Sequence, residues 1–326
     1  MSAFGLFADD VTDAQRRFFE AQEAQRRRDL ENHVSAGYVP GPVVPDACAN
    51  GDFEAGLASW SGAYGNMDYG TVSPVPGPVL STLNAGLLSV NGHLRRSDSR
   101  HTVVTAADGP DPIAGIGQVA LGSSTAVRIG NTGVGGGVEL LDRTFVVRAD
   151  RPSIGFRYAV ILQDPHHKRE HQPMFRVRVT NAAGEIHNVV YLDPGEAPID
   201  TLIADRCDTD HFKELLPKDG VIVYRDWTCA YIDLTDHVGE IVTVQFIVQD
   251  CSKLGHWGYA YIDDFCDSEC VIDFSPIAPE GTTCGAGQLC FNAFPAGVTI
   301  QLDLWQNGDF RTSLEHPLHT SGTLYC

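Results

Sequence analysis

The chain has 326 residues, with 42 acidic against 23 basic side chains and a formal charge of −19. Phosphate recognition needs concentrated positive charge, so this balance argues against nucleic acid as a partner. With 33 glycines and 18 prolines, the composition points to many turns and short strands and away from a helical protein. No run of eighteen apolar residues marks a membrane-inserting helix.

The opening Met-Ser-Ala-Phe-Gly-Leu-Phe-Ala-Asp-Asp has no basic leader and no full apolar core, so it does not read as a secretory signal. The expectation is a leader outside this sequence, or exit inside a larger particle or by lysis. Residues 10–34 carry the one persuasive helix pattern. Thr12 and Gln15 make a capping box, and Val11, Ala14, Phe18, Ala21 and Leu30 form a narrow apolar stripe. A lone polar helix is marginal in water unless it docks. Residues 1–45 therefore read as an attachment segment, a helix followed by the stiff linker Tyr38-Val-Pro-Gly-Pro-Val-Val-Pro45. The plainer alternative is a frayed tail, or a helix packed on its own domain.

Residues 46–270 read as an antiparallel β-sandwich. The stretch 61–125 is rich in turn residues and predicts long loops ornamenting one end. Strands are expected at 126–131, 138–148, 154–162, 174–180, 186–192 and 227–234. In the third of these, Ile154, Phe156, Tyr158, Val160 and Leu162 alternate with Gly155, Arg157 and Ala159. Val242, Val244, Phe246 and Val248 oppose Thr243, Gln245 and Gln249. A turn with Gly255 and a second strand over 257–265 then suggest a hairpin that ends in Asp263 and Asp264. Residues 271–326 read as a small β-domain, with Cys284 and Cys290 as a local disulfide staple. Eight of the nine cysteines follow residue 200, which points to disulfides and an oxidising destination. An odd number leaves at least one thiol free or paired between chains. Zinc ligation is the rival reading, although no CxxC pair is present.

Three groups of residues could carry chemistry. Asp52 and Glu54 of Asn50-Gly51-Asp52-Phe53-Glu54-Ala55-Gly56 offer side-chain and carbonyl oxygens of the kind Ca²⁺ gathers. Side chains alternate along a strand, so only one of Asp263 and Asp264 can join them. The alternative is an acidic turn and an acidic strand end that never meet. Second, the polar loop 163–173 predicts a lock, or a second metal site, between Asp164 or His166 and Asp250 or His256. Within it His167-Lys-Arg-Glu-His171 fits the string H-x-x-E-H of zinc hydrolases. That chemistry needs both histidines on one helical face, and Pro165 and Pro173 leave about two turns at most. Third, Tyr64, Tyr69, Trp257 and Tyr259 are candidates for stacking on sugar rings. The plain reading of those aromatics is core.

Asn-Gly-Asp-Phe-Glu-Ala-Gly-Leu-x-x-Trp near the start and Tyr-Ile-Asp-Asp-Phe near residue 265 resemble the ion-binding ends of jelly-roll carbohydrate-binding modules. The resemblance implies a structural Ca²⁺ held by Glu54 and Asp263, with Asp52 a weaker addition. A second likeness covers roughly residues 48–266. Arg100-His-Thr, Asp111-Pro, Val127-Arg-Ile-Gly-Asn131, Arg157-Tyr-Ala-Val-Ile-Leu-Gln-Asp-Pro165, Gln172-Pro-x-Phe175 and Asp250-Cys…Gly255-His-Trp-Gly-Tyr-Ala-Tyr-Ile-Asp263 resemble a module of large bacterial surface proteins. Those proteins are adhesin-like or motility-associated and of Bacteroidetes type, which implies exposure and binding in place of a reaction.

Together these readings predict an all-β jelly-roll sandwich over 46–270, with an N-terminal helix and linker over 1–45 and a small β-domain over 271–326. The expected role is non-catalytic recognition of surface polysaccharide, by an oligomer mounted through residues 1–45 on protein partners. Its expected place is extracellular, at a cell surface or on a phage-like particle, as a spike or fibre. No membrane insertion is expected. The alternatives are a purely structural fibre, filament or capsid-decoration subunit, and a secreted zinc hydrolase.

Overall fold

A computed structural model describes residues 38–66, 81–82, 100–193, 197–215, 220–267 and 270, together with four strand segments beyond residue 290. The expected helix over 10–34, Tyr69 and the Cys284–Cys290 staple lie outside the described residues. Among the described residues no helix is long and apolar enough to cross a membrane.

Fifteen described strands precede residue 264. They are β1 (Val43–Val44), β2 (Ser61–Asn66), β3 (Ser81–Thr82), β4 (His101–Thr105), β5 (Thr125–Asn131), β6 (Gly137–Val146), β7 (Ser153–Asp164) and β8 (Met174–Asn181). They continue as β9 (Gly184–Ile186), β10 (Val190–Tyr191), β11 (Thr201–Ile203), β12 (Lys213–Leu215), β13 (Val221–Asp233), β14 (Ile241–Gln249) and β15 (Gly258–Asp263). One sheet runs β11-β8-β14-β6-β2-β3, with β9 beside β8 and β1 beside β6; the other runs β10-β13-β7-β15-β5-β4, with β12 beside β13. Pairing among these strands is antiparallel except between β1 and β6. Farther on, β16 (Phe291–Asn292) pairs with β19 (Leu324–Tyr325), and β17 (Thr299–Gln306) pairs with β18 (Asp309–Pro317).

The period-2 apolar pattern explains the layering. Phe156, Tyr158, Val160 and Leu162 of β7 face Phe175, Val177 and Val179 of β8 and Val242, Val244, Phe246 and Val248 of β14 in one buried cluster. Aromatic rings close its lower end: Phe246 lies 5.1 Å from Phe156, 6.1 Å from Phe265 and 6.2 Å from Trp60. One inward position on β6 is an arginine. The Arg143 guanidinium lies 3.9 Å above the Trp60 ring and donates to the Ala47 carbonyl at 2.6 Å. Burial pushes it down to about 10.

The strands at 242–249 and 258–263 do not form the expected hairpin. β14 pairs with β6 and β8, whereas β15 pairs with β5 and β7 in the opposite sheet. Both strands have one apolar face, and those faces bury more surface facing each other across the core than lying side by side. The loop 163–173 crosses between sheets in the same way, from β7 to β8. Register puts these crossings and the β5–β6 link at one pole, because Gly258 pairs with Asn131 and Leu162 while Gln249 pairs with Val138 and Met174.

The stretch 106–124 does not ornament an end. It lies over the outer face of the second sheet, where Ile113, Ala114, Ile116 and Val119 pack with Tyr259 and Tyr261. Asp111 fixes it there by accepting from the Tyr259 hydroxyl at 2.9 Å, from the Tyr261 hydroxyl at 2.8 Å and from the amides of Ile113 and Ala114.

Candidate ligand and metal sites

The pole away from the crossings is a clasp between Asn50–Trp60 and the end of β15. Asn50 organises the first strap: its Nδ2 donates to the carbonyls of Gly56 and Ala58, and its Oδ1 accepts from Ala55 N at 2.7 Å. Trp60 Nε1 in turn donates to the Asn50 carbonyl at 3.0 Å. Phe53 is buried and stacks on Trp60 with ring centroids 5.0 Å apart. With Phe53 turned inward, the neighbouring Asp52 and Glu54 are left exposed.

The two acidic motifs meet through their backbones. Phe265 N donates to the Gly51 carbonyl at 2.9 Å, and a disulfide joins Cys48 to Cys266. A Cβ at position 51 would stand 2.0 Å from the Phe265 carbonyl oxygen, so only glycine admits this approach. Asn50, Phe53, Asp264 and Cys266 all adopt positive φ, between 50° and 81°. That is a concentration of left-handed non-glycine backbone, which a fold tolerates where surrounding contacts over-determine it. A second disulfide joins Cys229 and Cys270, while Cys207 is an exposed thiol and Cys251 a buried one.

Asp263 is fully buried on the outer face of β15, where it accepts from Ala120 N at 3.2 Å and Asp264 N at 2.8 Å. Burial, then the neighbouring Asp264 charge, pushes it up to about 7. Asp264 instead approaches Arg157, 3.4 Å away, and Arg157 also pairs with Asp267 at 2.8 Å. A buried carboxylate whose neighbouring charge is a second carboxylate fits a bound cation. Among the described residues, however, Asp52, Glu54 and Asp263 are not a triad close enough to share one ion through side chains alone.

Beside the clasp lies an open cleft of about 450 Å³, walled by Asn50, Asp52, Arg151, Arg157, Asp264 and Asp267. Leu121, at 94% exposure, stands on its rim. The cleft is polar, and its Arg157 is paired with its Asp264 and Asp267.

At the crossing pole the four expected polar residues do not form one cluster. Asp164 accepts from Arg206 Nε at 2.8 Å, from Gln172 Nε2 at 2.7 Å and from His166 N at 2.7 Å. Burial alone would raise it, but the Arg206 bond and those amides hold it below its usual range. His166 thus contributes its backbone at a positive φ. Asp250 caps the amides of Gly137 at 2.7 Å and Gly258 at 3.0 Å. Burial and the nearby Glu139 push Asp250 up, while Glu139 pairs with Arg100 and is itself raised to about 7 by burial. His256 alone joins a ligand-type group, with His167 and Cys251. Sequence spacing could not reveal that group, because 84 residues separate His167 from Cys251.

The H-x-x-E-H reading fails on local structure. Only Arg169–His171 is helical, as a single 3₁₀ turn, and His171 Nδ1 lies 2.6 Å from Ser252 Oγ while His167 turns to Cys251. The sugar-platform aromatics are also corrected. Trp257 and Tyr259 are buried and stack on each other 5.7 Å apart, with Tyr259 bonded to Asp111 of the 106–124 stretch, so neither shows a ring face to a ligand. Tyr64 is half-buried, with the Arg100 guanidinium 5.7 Å from its ring centre.

No protein-family profile and no curated protein matches the chain. Several solved structures do. A CBM61 module in complex with β-1,4-galactotriose is 11% identical, with 68% of this chain and 97% of the module covered and a TM-score of 0.33. A CBM28 module specific for non-crystalline cellulose is 12% identical, covers 70% of this chain and 98% of its own, and has a TM-score of 0.29. The K2 cleaved adhesin domain of Lys-gingipain is 16% identical, with 55% and 93% covered and a TM-score of 0.24. The neighbours are carbohydrate-binding modules and adhesin domains. Antiparallel two-sheet topology, read from the strand pairing above, is what the chain has in hand independently of them.

Proposed function

We propose that the sandwich is a non-catalytic recognition domain for extracellular polysaccharide, and that the ligand is held in the cleft beside the clasp. The observation that carries the reading is the cleft itself: its volume of about 450 Å³ lies in the range of small-ligand sites. Its Arg151, Arg157, Asp264 and Asp267 side chains can donate to and accept from vicinal hydroxyl groups. The disulfides, which persist in oxidising environments, agree with an exposed role.

In the same reading Asp263 anchors a structural Ca²⁺, and the facing strap around Asp52 and Glu54 supplies further oxygens, backbone carbonyls included, since the three side chains do not gather by themselves. The ion supplies positive charge to the buried carboxylate and ties the two straps. Residues 1–45 serve as the mount on a larger, oligomeric assembly, and 271–326 as a small companion domain. The test is a glycan array probed with the full chain, followed by titration of any hit against Arg157→Ala and Glu54→Ala. Binding weakened at least about tenfold by Arg157→Ala, with an unchanged melting profile, supports the cleft, since hydrogen bonds to charged groups each contribute about 1.5–3 kcal/mol. A hit unaffected by Arg157→Ala removes the cleft from the reading. An array with no hits, together with loss of assembly on deleting residues 1–40, favours the purely structural subunit.

A further inference from the structure

Two loops at the crossing pole, 165–173 and 250–257, bring together three side chains that neither the cleft nor the clasp uses. His167, Cys251 and His256 each place a ligand atom within 4.8 Å of the other two. Their setting is that of a built site. The Cys251 side chain is buried, and its sulfur accepts the Lys253 amide at 3.2 Å while standing 3.2 Å from His167 Nδ1. The His167 and His256 rings meet edge to face with centroids 5.1 Å apart. His256 Nδ1 is buried and accepts or donates no hydrogen bond. A buried nitrogen left in that state costs about 1–3 kcal/mol unless something takes its lone pair. The loop that carries His167 is held from behind by Asp164, through Arg206, Gln172 and the His166 amide. Its position therefore does not depend on the three ligands.

We propose that His167, Cys251 and His256 bind one Zn²⁺ ion that ties the β7–β8 crossing to the β14–β15 crossing. Two imidazoles and a thiolate are the borderline-soft donors that zinc selects over calcium or magnesium, and an amide N–H directed at the sulfur favours its thiolate form. Three protein ligands leave one tetrahedral position for water. The ligand set differs from the H-x-x-E-H reading, since His171 is engaged by Ser252 and two ligands come from the other loop. Binding converts Zn²⁺ and the Cys251 thiol into a zinc thiolate and one released proton. Because ligation displaces that proton, affinity rises with pH.

The test uses the full chain, stripped with chelator and titrated with Co²⁺ and then Zn²⁺. The expected result is a thiolate-to-cobalt charge-transfer band that saturates at one ion per chain and is abolished by stoichiometric Zn²⁺. Cys251→Ser removes the band and His256→Ala weakens binding more than about tenfold, whereas Cys207→Ser leaves both unchanged. His167→Ala, at a half-buried loop position, provides a second ligand deletion should Cys251→Ser fold poorly, and circular dichroism reports folding for each variant. The proposal is overturned if the wild-type chain shows no thiolate band, if the band survives in Cys251→Ser, or if a folded His167→Ala binds Co²⁺ as tightly as wild type.

Discussion

Replacing Asp263 by asparagine tests the clasp directly. The carboxyl rises from an ordinary 3.8 to about 7 in the fold. A carboxylate whose folded value is raised makes the native state bind more protons than the unfolded chain between those limits. Stability therefore falls as pH rises from about 4 to about 7, then levels off. At about 1.4 kcal/mol per pH unit, the gap corresponds to at most about 4 kcal/mol, an upper bound because local relaxation screens a buried charge. The substituted amide cannot ionise, so Asp263→Asn removes this slope, at a cost of roughly 1 kcal/mol where the new side chain faces Asp264 N. The assay is urea unfolding of both proteins from pH 4 to 8 in chelator, taking the difference between the two curves so that Glu139 and Asp250, which titrate in both, cancel. Wild type should lose stability relative to Asp263→Asn as pH rises, and saturating Ca²⁺ should recover most of that loss in wild type only. Superimposable pH profiles in chelator would refute the reasoning about the buried carboxylate. A slope that Ca²⁺ leaves untouched would keep the carboxylate argument and remove the ion.

Phe246→Ala should destabilise by about 3–5 kcal/mol, because its ring touches three aromatic partners at the centre of the lower core; the midpoint of chemical unfolding reports it. Asp111→Ala removes the acceptor shared by two buried tyrosine hydroxyls; Tyr261 keeps Gln118 Oε1 at 3.2 Å, so the cost of about 1–3 kcal/mol falls mainly on Tyr259. Its distinguishing signature should be early proteolytic nicking within 106–124, well before the sandwich opens, and protection equal to wild type would count against Asp111 as the anchor of that stretch.

The alternation over 154–162 and 242–248 was legible because each stretch has one face committed to the core. Which sheet a strand joins was not, since a period of two says which way a side chain points and nothing about its neighbours. That is why 242–265 looks like a hairpin and is instead a crossing between layers. The start of β13 at Val221 was hidden by the register shift between Arg225 and Thr228, which breaks the alternation where a reader looks for it. The acidic motifs announced that the straps meet, and the Gly51–Phe265 contact agrees. Phe53 decides that the flanking acids point outward, a packing outcome that the wording Asp-Phe-Glu does not contain. Arg143 over the Trp60 ring was equally unreadable, because a cation at an inward position makes sense only beside its ring. The His167–Cys251–His256 group depends on two crossings landing at one pole, so no local spacing could signal it.

The bond between Cys48 and Cys266 closes a loop of 218 residues, and this has a mechanical consequence. Tension arriving along the polypeptide from before residue 48 and leaving after residue 266 runs through two sulfur atoms and bypasses every strand between them. Under pull the sandwich is carried as a side loop, slack while the covalent path is taut, and it keeps its shape at loads that would unzip an unbridged sheet. Reduction would transfer the same load to the β-ladder, so single-molecule extension with and without reductant should differ by the full contour length of the enclosed chain.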